Sequence, residues 1–203
     1  MKLFLDLDGK VNYDKIDKTT TVKDMLKAID IFLDTNPLPC SSCQESCCKK
    51  SWSVEMDNVS VNRLSCWEND KALEFVKVNL VRKKNYYREF YQYVLKKDKD
   101  CRFITKDNFC TIYNERPVIC RLYICIDKSY RYNVVRELIG STYLKALVIE
   151  DKMRRSELAE KTLTKYNRNP ALFAKDYDLH IEDIFNYAEE EGWLYCEDRR
   201  ELY

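Results

Sequence analysis

The distribution of cysteine constrains this chain more than any other feature of its sequence. Eight of the ten cysteines fall in two short windows, and only Cys66 and Cys196 stand apart. The windows consist of Cys40, Cys43, Cys47 and Cys48, and of Cys101, Cys110, Cys120 and Cys125. Clustered thiols are typical either of disulfide frameworks in secreted proteins or of metal sites in reducing compartments.

The N-terminal segment favours the second interpretation. Asp6 and Asp8 interrupt the apolar run at the start of the chain, whereas a signal peptide needs an uninterrupted apolar segment of about 7–15 residues. No stretch of about 18 apolar residues occurs, so no transmembrane helix is predicted. We therefore expect a cytoplasmic protein without membrane association, in which thiols stay reduced and the clustered ones bind metal.

Charge balance and glycine content narrow the possible partners and sites. The net charge is only +1, which gives no field that would attract a polyanion, so we expect no nucleic-acid partner. Only three glycines occur, which leaves little room for phosphate-binding loops. A protein or peptide partner stays open, and the oligomeric state is not predicted.

Hydrophobic patterns predict the elements that precede the first window. Alternating leucines before a tight turn at Asp8-Gly9 favour a hairpin over residues 1–13. The same stretch resembles the first motif of haloacid-dehalogenase-type phosphotransferases, with Asp6 as nucleophile and Asp8 as acid/base, but no alternation of strands and helices follows it. Apolar residues at helical spacing predict a helix over about 22–34.

The pattern between the two windows is less uniform. Residues 52–56 alternate as a strand does, and Asp57 or Ser60 is predicted to cap a short helix that ends near Trp67. Residues 71–96 fit either a helix or a pair of strands. The sequence therefore leaves open which elements lead into the second window.

The C-terminal part of the chain is predicted to be helical. From about residue 130, apolar spacing predicts three helices, of which the second ends before Pro170. We expect a single domain over residues 1–203, of the α+β class. A small cysteine-ligated metal core with short strands, over 36–127, would be covered by a mainly helical part over 128–203.

The first window carries the spacing that is most typical of metal ligands. Two residues separate Cys40 from Cys43, and the turn between them brings both sulfurs to one side of the chain, as in zinc and iron–sulfur sites. Cys47 and Cys48 are adjacent and point to opposite faces of an extended chain, so one metal ion cannot easily take both. The doublet indicates two metal centres, or one ligand beside a supporting thiol.

The second window supplies four more soft donors: Cys101, Cys110, Cys120 and Cys125. A turn is predicted within it near Lys106-Asp107-Asn108. With the first window they provide enough thiols for two four-coordinate sites or for one larger cluster. Thiolates suit zinc or iron–sulfur clusters rather than magnesium or calcium. Because this number of thiols exceeds what one structural zinc needs, we favour an iron–sulfur cluster such as [4Fe–4S] over zinc.

Several segments around these cysteines resemble a known family. Cys101-Arg-Phe, Cys110-Thr-Ile-Tyr, and the run from Glu115-Arg-Pro to Cys120-Arg follow the doublet of the first window. Together they resemble the CxxCxxCC cysteine-cluster proteins over about residues 40–125. That family is described as zinc- or iron-chelating, so the resemblance implies that the cysteines of both windows hold a metal.

One departure from the family pattern bears on function. Three residues, not two, separate Cys43 from Cys47, which is similar to the branch that contains flagellin lysine N-methylases. That similarity implies an S-adenosylmethionine-dependent methyl transfer to protein lysine, although those enzymes are considerably longer and no local motif for S-adenosylmethionine occurs here.

Three functions therefore stay open. The chain is a metal-binding protein with a structural or electron-transfer role, a lysine N-methylase-like enzyme, or an interaction or regulatory module that zinc stabilises. No catalytic residue is predicted, and the sequence does not decide whether the chain is an enzyme. We expect Cys66 and Cys196 to be buried or partly buried thiols rather than ligands.

Arginines beside the second window are predicted to support the metal. Four thiolates around one ion carry a net negative charge, and Arg116 and Arg121 are placed in the sequence to offset it, as is Arg102. Charged donors to sulfur would also tune the potential of a cluster. The alternative is surface pairing with Glu115 or Asp127, and both interpretations stay open.

Overall fold

A computed structural model gives the fold of most of the chain. It describes residues 1–37, 54–85, 89–96, 100–155 and 168–203. Within these ranges the protein has seven α-helices and five short strands, and the strands form two small antiparallel sheets. The α+β class predicted from the sequence is therefore confirmed.

The N-terminal hairpin consists of β1 (Leu3–Leu5) and β2 (Val11–Tyr13), which pair antiparallel. Gly9 lies in the turn at φ 74°, a left-handed conformation that glycine adopts without steric cost. The Asp6 carboxylate accepts hydrogen bonds from the backbone N–H groups of Asp8, at 3.0 Å, and Lys10, at 2.9 Å. The predicted hairpin is confirmed, and Asp6 stabilises its turn.

Helix α1 (Val22–Thr35) follows the predicted apolar spacing. Thr21 caps its N-terminus, and the buried residues lie on one face of the helix. They are Val22, Met25, Leu26, Ala28, Ile29 and Phe32. This face attaches the N-terminal part of the chain to the main core.

The region between the windows combines helices with a three-stranded sheet. Its elements in chain order are β3 (Glu55–Met56), α2 (Asn58–Leu64), α3 (Asn69–Asn79), β4 (Leu80–Asn85) and β5 (Phe90–Leu95). The strand order is β3-β5-β4, and the register pairs the first residue of β4 with the last residue of β5. The stretch that fitted either a helix or two strands is thus a helix followed by a strand pair.

The remaining helices are α4 (Val118–Arg121), α5 (Tyr130–Arg154), α6 (Ile181–Glu190) and α7 (Cys196–Arg200). The first and third of the predicted C-terminal helices correspond to α5 and α6. The predicted second helix lies largely at 156–167, outside the described residues. Helix α7 was not predicted, because five residues are too few to show helical periodicity.

No helix in the described ranges combines the length and the apolar character that crossing a bilayer requires.

Two apolar clusters lie on the central helix α5. The larger core combines residues of β2, α1, α4, α5 and α6. The smaller one combines residues of α2, α3 and all three strands of the second sheet with Leu147 and Val148 of α5. The region between the windows therefore packs onto the C-terminal helices, and the second window extends from one cluster to the other.

Candidate metal centre

Of the two cysteine windows, only the second lies within the described residues. Cys101 is buried, Cys110 and Cys120 are half-buried, and Cys125 is exposed. The first window lies outside the described residues; it comprises Cys40, Cys43, Cys47 and Cys48. The set of eight metal ligands therefore stays a prediction.

Cys101 and Cys110 both pair with Ile104 through their backbones, because the chain between them forms a tight loop. The Ile104 N–H donates a hydrogen bond to the Cys101 carbonyl at 3.0 Å, and Ile104 also forms an antiparallel bridge with Cys110. Asn108 turns the loop at φ 65°, a left-handed conformation that asparagine tolerates better than most residues. The predicted turn at this place is confirmed, and the loop folds Cys110 back towards the segment that carries Cys101.

Apolar anchors fix the segment that carries the other two cysteines. Val118, Leu122 and Ile124 are each 0% exposed and belong to the larger core. Cys120 and Cys125 alternate with these anchors and are less buried. The anchors therefore hold both thiols at the edge of the core.

The Asp57 carboxylate ties the start of α4 to the start of α2. Asp57 is 0% exposed and accepts hydrogen bonds from the Val118 N–H at 2.7 Å and the Tyr177 hydroxyl at 3.1 Å. It also accepts from the Ser60 N–H at 2.9 Å and the Ser60 hydroxyl at 3.0 Å. Burial raises the pKa of the Asp57 carboxyl, and the hydrogen bonds act in the opposite direction.

The sequence predicted Asp57 only as a helix cap, and that role is confirmed by its bond to Ser60. Its contacts with Val118 and Tyr177 were missed. They join residues 61 and 120 positions apart, and no local pattern in the sequence marks them.

Three arginines were predicted to support the metal, and two of them lie over or beside aromatic rings. The Arg116 guanidinium lies over the Tyr113 ring, 3.6 Å from its centroid, and its Nε donates to the Tyr113 carbonyl at 2.9 Å. The Arg121 guanidinium lies 5.5 Å from the centroid of Tyr177, and its Nη2 is 3.9 Å from a carboxylate oxygen of Asp30. Their role in offsetting thiolate charge stays a prediction.

The remaining residues considered from the sequence lie at the surface. Arg102 hydrogen-bonds the Asn79 side chain at the end of α3. Cys66 and Cys196 are both exposed, so the expectation that they are buried or partly buried is wrong. Cys66 lies in a turn just after α2, at φ 52°, and Cys196 begins the short surface helix α7.

The donor set of the second window fits a soft metal by its chemistry. Its four thiols suit zinc or iron, and together with the first window they would hold the ion or cluster. Within the described part of the chain, no three histidine, cysteine or acidic side chains form a group that could hold a metal ion.

Comparison with known proteins identifies the segment that contains both windows. Residues 39–137 match the CxxCxxCC family model, which is described as "Putative zinc- or iron-chelating domain". The match begins one residue before Cys40 and ends within α5. No curated protein and no solved structure matches the chain. Residues 39–137 of the chain are thus similar to the CxxCxxCC family, and the resemblance drawn from the sequence is confirmed.

Proposed function

We propose that this protein holds an iron–sulfur cluster, or zinc in its place, through the cysteines of both windows, and that the centre has a structural or electron-transfer role. The observation that carries this proposal is that one zinc- or iron-chelating domain contains every cysteine of the two windows. Thiolate ligands stabilise such a centre because they are soft donors.

The second window reaches from a buried environment to an exposed one. Cys101 belongs to the smaller apolar cluster and is 8% exposed. A thiol in such surroundings is stable in its neutral form, and a bound cation would stabilise its thiolate. Cys125, in contrast, is exposed. A centre that extends between these two environments would be shielded on one side and close to solvent on the other, as electron exchange with a partner requires.

The number of thiols exceeds what one four-ligand centre needs. A closed structural zinc site takes four ligands, as does a [4Fe–4S] cluster, and the two windows offer twice that number. One larger iron–sulfur cluster would use all of them. Two separate zinc sites are the alternative, and both options use the same residues. The identity of the metal is therefore decided by analysis of the bound atoms.

The decisive measurement is metal and acid-labile sulfide analysis of the anaerobically purified protein. We expect iron and sulfide in comparable amounts and a brown protein with broad visible absorbance. A colourless protein with stoichiometric zinc would establish the zinc alternative. A folded protein with neither metal contradicts the proposal.

Serine variants test the ligand set. We expect Cys43→Ser, Cys48→Ser, Cys110→Ser and Cys120→Ser to lose metal and solubility, because a serine hydroxyl is a poor ligand for these ions. Cys66→Ser and Cys196→Ser are the matched controls, since both thiols are exposed and lie outside the windows; they should retain metal. Full retention of metal by all four window variants would rule out the proposed set.

A further inference from the structure

Helix α4, which carries Cys120, is held in place from both ends. It has only four residues, and so short a helix has little stability of its own. The Asp57 carboxylate accepts from the Val118 N–H at its start, and the Tyr132 hydroxyl donates to the Leu122 carbonyl just after its end, at 2.9 Å. These two contacts, together with the apolar anchors, therefore place Cys120.

Four hydrogen bonds restrain the Asp57 carboxylate. One of its oxygens accepts from the Ser60 N–H and the Tyr177 hydroxyl, and the other accepts from the Ser60 hydroxyl and the Val118 N–H. Each donor restrains the carboxylate in a different direction. The N–H of Val118 consequently has one well-defined acceptor position.

Tyr177 contacts the ligand-bearing segment in two ways, although it lies outside residues 39–137. Its hydroxyl donates to Asp57, and its ring lies beside the guanidinium of Arg121, the residue that follows Cys120. Arg63 lies at the same distance from the ring centroid, 5.5 Å, and Tyr177 is only 1% exposed. The C-terminal part of the chain thus helps to place α4.

We propose that Asp57 is a positioning residue of the metal centre, which places Cys120 through the Val118 N–H, and that Tyr177 orients the Asp57 carboxylate. This inference rests on the proposed function, because it requires that Cys120 is a ligand. Side chains that orient metal ligands typically change metal affinity by about 10–100-fold when they are replaced.

The test compares Asp57→Asn with Glu150→Gln. Glu150 is an equally buried carboxylate, 1% exposed, which accepts from Asn58, Asn62, Arg154 and Phe173 and from no residue of the second window. Each protein is purified anaerobically, and the rate at which it loses metal to a coloured chelator is measured. The temperature is set the same number of degrees below the unfolding temperature of each variant, so that a general loss of stability does not affect the comparison.

We expect Asp57→Asn to release metal about 10–100-fold faster than the wild type. The side-chain amide replaces one carboxylate oxygen, which accepts hydrogen bonds, with an N–H₂ group, which cannot accept them. The visible spectrum of this variant should shift as well, since the geometry at Cys120 changes. Glu150→Gln should keep the wild-type release rate and spectrum.

A milder pair of variants covers the case in which Asp57→Asn does not fold. Tyr177→Phe removes one hydrogen bond to Asp57 and keeps the ring beside Arg121. Tyr13→Phe removes a comparable buried hydrogen bond, to the Leu202 carbonyl at 2.6 Å, and both of these residues lie outside the two cysteine windows. We expect faster metal release only from Tyr177→Phe.

The possible outcomes separate the two proposals. Equal release rates within each pair, from a wild-type protein that does bind metal, would overturn the positioning role and leave the proposed function intact. A wild-type protein without metal would overturn both.

Discussion

At the start of α1, the side chains of Thr21 and Asp24 cap the helix reciprocally. The Thr21 hydroxyl accepts from the Asp24 N–H at 3.1 Å, and the Asp24 carboxylate accepts from the Thr21 N–H at 2.9 Å. The hydrogen bond from the Thr21 backbone, with a further one from its hydroxyl, holds the pKa of Asp24 below its ordinary value. Because the folded pKa is lowered, the ionised carboxylate stabilises the fold.

This cap makes a prediction about pH. Its contribution is present above the unfolded pKa of about 3.9 and is lost as the pH falls through the lower folded pKa. We expect Asp24→Asn to reduce the free energy of unfolding by about 0.5–1 kcal/mol at neutral pH. The difference from wild type should shrink in strong acid. Urea unfolding at several pH values measures it.

The control for that prediction lies in the last turn of the same helix. Asp34 is exposed there, where the helix dipole does not favour a negative charge. Asp34→Asn should therefore cause no loss at neutral pH. If Asp24→Asn lowers stability equally at neutral pH and in acid, the carboxylate charge has no part in the cap.

Among the elements, α6 has a well-defined C-terminal stop. Gly192 lies two residues beyond the end of the helix at φ 72°, and its N–H donates to the Glu189 carbonyl at 3.0 Å. The following N–H, of Trp193, donates to the Ala188 carbonyl at 2.7 Å. These bonds satisfy carbonyls that the helix itself leaves without donors.

The left-handed conformation of Gly192 predicts the effect of a side chain there. An added Cβ meets open space, so only the backbone preference opposes it. We expect Gly192→Ala to reduce the free energy of unfolding by about 1–2 kcal/mol, measured by urea or thermal unfolding. Gly140→Ala is the contrast, because Gly140 lies inside α5 and its added Cβ would contact only the Ile119 side chain, at 3.4 Å. Equal losses in both variants would contradict this account.

Across the whole molecule, the apolar packing and the cysteine windows occupy different places. The described members of the larger core come from the N-terminal part, from α2, from α4 and the segment just after it, and from the C-terminal part, and they include no cysteine. Cys101 is the one described window cysteine in either cluster, and it belongs to the smaller cluster. Burial of apolar surface, rather than metal, therefore stabilises most of the described fold.

That separation predicts a partial response to metal removal. After chelation, we expect the segments of the second window to lose protection from hydrogen exchange, since the backbone–backbone hydrogen bonds within them join near neighbours in the chain. The amides of α1, α5 and α6 should stay protected, and most of the far-ultraviolet circular dichroism signal should remain. Hydrogen exchange with mass spectrometry, with and without chelator, measures both. Complete unfolding on chelation would show that the metal controls the whole fold.

Local patterns in the sequence predicted most of the elements. The period of the apolar residues marked α1, α5 and α6, and turn and cap residues marked the hairpin, the loop at Asn108 and Asp57. These signals are readable because each arises among residues only a few positions apart. The cysteine spacing likewise indicated the CxxCxxCC domain, since a chelating pair is a local arrangement. The secondary structure of residues 71–96 depends on strand pairing, and the local sequence pattern does not show which strands pair.

The tertiary structure alone decided how these parts meet. Asp57 accepts from Val118 and Tyr177, and α5 lies between two apolar clusters, because distant segments pack together in the folded chain. Such contacts leave no period and no motif in the sequence, as their partners are 61 and 120 residues apart. The sequence by itself determined the soft donors and the helices α1, α5 and α6, whereas packing determined which buried carboxylate holds the helix that carries Cys120.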